Sequence, residues 1–161
     1  MTSASDKNLA QQFVDAYHCG EFPFLHAIRM EPLEIGDGTG SLRIVLEEQH
    51  LRYGGIMHGG VATALLDTAL GLAAATKAPA QHNVVTAQMN VNFIKAARAG
   101  VELIGEAQVM HSGRRTCVCR AAILTGDGEL IASGSGTILF VPMPSEDAEL
   151  LQAAGQSKTG A

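Results

Sequence analysis

His58-Gly59-Gly60 opens an apolar run in which Asp67 is the one charged residue before Thr76. The run reads as a helix over 59–76, started by a turn crowded with Gly55, Gly59 and Gly60. A helix N-terminus presents N–H groups that have no intrahelical acceptor, at the positive end of the helix dipole. Such a terminus can polarise a carbonyl oxygen. A carboxylate inside an apolar helix costs free energy unless it is paired or used. Together the two features suggest a carbonyl-activating site with an acid at hand. The plainer alternatives are a simple glycine turn and a buried acid bonded to a neighbouring loop.

Spacing adds a demand. Eight residues separate Gly59 from Asp67, which places them about 12 Å apart along a helix axis. One carbonyl cannot touch both within a single chain. Two such helices, antiparallel across a two-fold axis, would set Gly59 of one chain against Asp67 of the other and create two equivalent sites. If Gly59 and Asp67 serve one site, the motif therefore predicts a homodimer.

The elements that must hold this helix follow from periodicity. Residues 6–19 read as a helix, with Leu9, Phe13, Ala16 and Tyr17 at helical spacing, ended by Pro23. Strands are expected at 26–35 and 40–47, joined by the turn-like GDGTG, with a loop at 48–57. Four further strands follow the central helix. Val85, Ala87, Met89, Val91 and Phe93 alternate with Thr86, Gln88, Asn90 and Asn92 in the first. Leu103, Gly105, Ala107 and Val109 share a face in the second, and Cys117, Cys119, Ala121 and Ile123 in the third. A GDGE hairpin at 126–129 leads to the fourth, with Leu130, Ala132, Gly134, Gly136, Ile138 and Phe140 on one side. The expected fold class is α+β: a long central helix, apolar nearly all round, wrapped by a curved antiparallel sheet whose small inner residues admit it closely. The chain divides into an N-terminal segment with a helix (1–22), the wrapped domain (23–144) and a C-terminal tail (145–161).

Composition narrows the function. The chain has 161 residues, 47% of them apolar, and a net charge of −5, which fits one domain with a real core and argues against nucleic acid or an anionic membrane as partner. The first residues carry no apolar signal segment, so a cytoplasmic location is expected. Cys19, Cys117 and Cys119 make no disulfide framework, and Cys117 and Cys119 read as small buried hydrophobes. The six histidines are scattered without zinc-like spacing, so no metal is expected. No Walker loop, dinucleotide glycine fingerprint or G-x-S-x-G elbow is present.

Four stretches in order, GGIMHGGVATALLDTALG, VVTAQMNVNFIKAARAG, HSGRRT and GDGELIASGSGTILF, make the chain resemble the hotdog-fold thioesterases. The likeness is to the phenylacetate-pathway (PaaI-type) branch of the 4-hydroxybenzoyl-CoA thioesterase superfamily, and it spans roughly residues 40–141. It implies a dimer with two sites at the subunit interface, often paired again into a tetramer. It implies hydrolysis of an acyl- or aryl-acyl-CoA, with coenzyme A as part of the substrate and no separate cofactor.

By that likeness the Gly59 N–H binds the thioester oxygen and Asp67 of the partner chain is the catalytic carboxylate. Thr86 orients water, and His58 shapes the turn. Phe93, Lys95, Arg98, Gly113, Arg114 and Arg115 fall in the segments that line the coenzyme A channel, and Gly60 is expected among the substrate-binding residues. The family pattern has Asn six residues before the His. Arg52 stands there instead, either as a second carbonyl contact or paired with Asp67. Met57, Leu65, Leu66, Leu70, Met89 and Phe93 are candidates for shaping the acyl pocket. A non-catalytic acyl-CoA-binding hotdog protein and a hotdog acyl-thioester dehydratase or hydratase are the alternative readings.

Overall fold

In the computed structural model, which describes residues 9–144, the Ala- and Leu-rich run forms helix α3 (Gly59–Ala75). Its Ala and Leu residues favour helix. His58 is its N-cap, with φ −69° and ψ 135°, and its Nδ1 accepts the Gly60 N–H at 2.9 Å. At the other end the Thr76 hydroxyl donates to the Ala73 carbonyl at 2.7 Å. Leu65, Leu66, Ala69, Leu70, Ala73 and Ala74 are fully buried. A helix this apolar reaches that state by packing most of its sides on other elements, while Thr63, Ala64, Asp67, Thr68 and Gly71 are half-buried.

The enclosing sheet has six strands, all joined antiparallel, in the order β1-β2-β6-β7-β8-β5. They are β1 (Glu31–Gly36), β2 (Thr39–Val45), β5 (His82–Phe93), β6 (Glu102–Ser112), β7 (Thr116–Thr125) and β8 (Leu130–Pro142). A separate hairpin, β3 (Leu51–Arg52) with β4 (Ile56–Met57), precedes α3. Helix α1 (Leu9–His18) and the short α2 (Pro23–Ala27) come first.

Small residues let the sheet close on the helix. A Cβ on Gly105 of β6 would lie 2.5 Å from Leu65 Cγ, and one on Gly40 of β2 would lie 2.9 Å from Leu72 Cγ. Gly105 stands out in the sequence pattern, whereas Gly40 looks there like part of a turn. Cys117 and Cys119 are both fully buried, as their alternation predicts.

Four expectations are corrected. The segment 26–35 is not one strand: Pro23 starts α2 and extended structure begins only at Glu31. Proline is well tolerated in a first helical turn, where its missing N–H would have no acceptor. The stretch 48–57 is not plain loop but a 3₁₀ turn (Glu48–His50) and the β3–β4 hairpin. Gly54 and Gly55 turn that hairpin at φ 94° and 70°, a region that costs other residues dearly.

The other two corrections concern facing. In β5 the register slips between Thr86 and Gln88, leaving Ala87 as an extra residue. Val84 therefore packs on the core before the bulge and Met89 and Val91 after it, while Val85 is exposed. Strict alternation had put Thr86 on the face opposite Met89, and the bulge reverses that parity. In β8 a slip between Ile123/Ala132 and Leu124/Leu130 buries Ile131 and exposes Leu130. Residues 6–8 of the expected first helix and the tail 145–161 lie outside the described residues.

Candidate active site

The N-terminus of α3 is fixed by backbone contacts on both sides. The His58 N–H donates to the His50 carbonyl at 2.9 Å, and the Met57 N–H to the Ala97 carbonyl at 2.8 Å. His50 is buried, and its Nδ1 accepts the Glu47 N–H at 2.9 Å. Nothing in the spacing of the sequence marks His50 as a brace. The signal for it is weak: a histidine eight residues before the His-Gly-Gly turn.

Capping occupies His58 Nδ1, so in the neutral ring the proton sits on Nε2. The turn therefore uses His58 structurally. Gly59 is the first residue of α3, where an N–H has no intrahelical acceptor. The Phe93 ring lies over it: a Cβ on Gly59 would sit 3.3 Å from Phe93 Cε1 and Cζ.

Asp67 lies two turns along the same helix and is half-buried. The Thr86 hydroxyl donates to its Oδ1 at 2.7 Å. No hydrogen bond to Oδ2 is found among the described residues. The bulge at Ala87 is what aims Thr86 at the helix. The pair opens into a cavity of about 630 Å³ between α1, α3 and the start of β5, walled by Phe13, Phe22, Leu72 and Val84 among others. That volume suits a small-molecule site. Leu65, Leu66 and Leu70, expected to shape an acyl pocket, are instead buried in the core. Leu9 and Phe13 line this cavity in their stead. Their helical spacing announces an apolar face, but not what it would cover.

The candidate cations do not converge. Arg52 Nη1 donates to its neighbour's carbonyl, Tyr53, at 2.8 Å, and within one chain it does not pair with Asp67. Arg98 reaches the same β3–β4 turn, its Nη1 3.7 Å from a Cβ built on Gly55. Lys95 pairs with Glu129. These three lie at the end of the molecule that holds Gly59. Arg114 and Arg115 are exposed in the β6–β7 hairpin, whose Gly113 N–H donates to Thr116 at 2.8 Å. Along β8, Lys95 abuts Ile131 and Arg115 abuts Phe140, so roughly 30 Å of strand separates the two groups. One chain thus carries the candidate cations in two groups at opposite ends.

Among the described residues no cluster of three or more His, Cys, Asp or Glu is placed to hold a metal ion, and no helix is long and apolar enough to cross a membrane.

A curved antiparallel sheet gripping one long helix is the hotdog architecture. Residues 54–132 match the sequence model of the thioesterase superfamily. A Halobacterium salinarum protein called "putative esterase" is 35% identical over 73% of this chain and 76% of its own length. The phenylacetic acid degradation protein PaaI of Thermus thermophilus, solved as a mutant, superposes with a TM-score of 0.67 and is 27% identical, covering 73% of this chain and 97% of that one. A hypothetical thioesterase of Streptococcus pneumoniae, solved with coenzyme A, superposes with a TM-score of 0.70 at 25% identity, over 81% of this chain and 100% of that one. The chain belongs to the thioesterase superfamily, among its PaaI-type hotdog members.

Proposed function

We propose that the protein hydrolyses the thioester of an acyl- or aryl-acyl-CoA at sites shared between two protomers. The observation that carries this reading is the Asp67–Thr86 pair, bonded at 2.7 Å on the wall of a cavity. It stands about 12 Å along α3 from the open N–H of Gly59. Each half is chemically complete and each lacks the other.

In the composite site the thioester oxygen accepts the Gly59 N–H of one protomer. Developing negative charge on that oxygen is stabilised there by the N–H and the helix dipole. Asp67 of the other protomer supplies the nucleophile, either attacking the carbonyl carbon itself or taking a proton from a water that attacks. Thr86 holds one carboxylate oxygen and thereby aims the second. When the tetrahedral adduct collapses, the C–S bond breaks and the coenzyme A sulfur leaves as thiolate or takes up the proton. On the direct route an anhydride forms first and water then cleaves it.

Pairing of protomers is supported by β5, a 12-residue strand at the edge of the sheet. Val85 and Phe93 are exposed along it, and Ile94 just after it. A long, uncharged, partly apolar edge is a ready surface for another copy. A dimer would also bring the two separated sets of cations together around a coenzyme A. The coenzyme A in the Streptococcus pneumoniae relative supports the choice of carrier.

Thiol release from a panel of acyl-CoAs tests the function. Turnover by the wild type, abolished in Asp67→Ala while coenzyme A still binds, is the expected result. Hydrolysis at the wild-type rate in Asp67→Ala would end the assignment.

A further inference from the structure

The cavity beside Asp67 reaches well beyond the space a thioester needs. On α3 its wall is formed by Asp67, Thr68, Gly71, Leu72 and Ala75. These positions share one helix face, and they extend about 12 Å from Asp67 toward the C-terminus. Opposite them lie Phe13 of α1 and Phe22, whose rings pack with centroids 4.4 Å apart. Val84 of β5 forms part of the remaining wall. The lining is chiefly apolar, with Glu21 and Asn83 also contributing to it.

Gly71 is the informative residue. It sits one turn after Asp67, and a Cβ there would meet nothing within 4 Å. Gly105 and Gly40, by contrast, are glycine because the sheet leaves no room. No contact within the chain requires glycine at position 71, and glycine in mid-helix costs about 1 kcal/mol relative to alanine. Its missing side chain keeps the cavity open next to the carboxylate.

We propose that this cavity holds the acyl group, that the acyl group is an uncharged apolar chain of medium length, and that Gly71 sets the length accepted. The proposal rests on the hydrolytic reading of Asp67. The carbonyl lies at Asp67, and the chain runs along α3 past Gly71 and beneath α1. Glu21 disfavours acyl groups with a second carboxylate. Acyl selectivity thus comes from the N-terminal helix and the second half of α3, outside the His-Gly-Gly turn.

The test compares the wild type with Gly71→Ala and Gly71→Leu, both of which improve helix propensity. Two readings are taken: kcat/KM for butanoyl-CoA and decanoyl-CoA, and affinity for the non-hydrolysable S-butyl- and S-decyl-CoA thioethers. Burial of each methylene is worth up to about four-fold, so the wild type favours the longer chain. Leucine at position 71 lowers the decanoyl-to-butanoyl ratio at least ten-fold, with alanine falling between. An unchanged ratio in Gly71→Leu, with hydrolysis intact, overturns the acyl cavity and spares the hydrolytic reading. If no thioester is cleaved but the wild type prefers the S-decyl thioether and Gly71→Leu abolishes that preference, the cavity stands and hydrolysis falls.

Discussion

Gly59→Pro is the sharpest perturbation the structure offers, because it deletes one N–H and little else. Gly59 is the first residue of α3, and its φ is not in the left-handed region. Proline is favoured at that helical position, where its fixed φ fits and no hydrogen bond is lost. The residue before a proline must be extended, and His58 already is, at φ −69° and ψ 135°. The cost is steric: the added Cβ meets the Phe93 ring at 3.3 Å. Phe93 is 62% exposed, so its ring can yield by a few tenths of an ångström. Gly59→Ala introduces the same Cβ and keeps the N–H, which makes it the reference. Loss of one oxyanion donor lowers kcat by about 10²–10³. Thiol-release kinetics with saturating acyl-CoA should therefore show Gly59→Pro slower than Gly59→Ala by that factor, while both melt within a few degrees of the wild type. A proline variant within ten-fold of the alanine variant would refute the role of this N–H.

Other outcomes follow from the same geometry. Inactive Gly59→Pro and inactive Asp67→Ala chains, unfolded together and refolded at equal amounts, should regain about one quarter of wild-type activity, because half the dimers are mixed and each mixed dimer holds one intact site; no recovery would place both groups in one chain's site. Thr86→Val should lower kcat more than it raises KM, and Thr86→Ser should restore most of the loss, read by steady-state kinetics; a serine variant as slow as valine would mean the hydroxyl is not what matters. Gly105→Ala should destabilise by about 1–3 kcal/mol through overpacking against Leu65, measured by denaturant unfolding, and parent-like stability would contradict the close approach.

Burial, and then the adjacent Cys117, push the Cys119 thiol from its ordinary 9.0 up to about 12. Unfolded chain then loses this proton before folded chain does. The stability linked to the thiol is full below about pH 9 and is lost as pH rises toward 12. Cys119→Ala should flatten that alkaline decline in a urea-midpoint profile, and an unaltered profile would exclude this origin.

Sequence alone determined the long apolar helix and the strands that pack around it, though not α2 or the β3–β4 hairpin. Apolar residues all round 59–76 and small residues at Gly105, Ala107, Ala121, Gly134 and Gly136 permit little else, because burial and backbone approach are local demands on residue type. It also placed the His-Gly-Gly turn at a helix start and set the distance from Gly59 to Asp67, since helix rise is constant. Tertiary structure decided what those residues meet. One extra residue at Ala87 reverses the facing of β5 and delivers Thr86 to Asp67, and a period-two pattern carries no sign of such a slip. Arg52 turns to Tyr53 rather than Asp67 because the hairpin at Gly54 and Gly55 sets its direction. The cavity exists because α1 and Phe22 come to rest beside α3 residues more than forty positions away in the chain, Asp67 to Ala75. Periodicity records which face of an element is apolar; only packing between distant elements settles what that face covers.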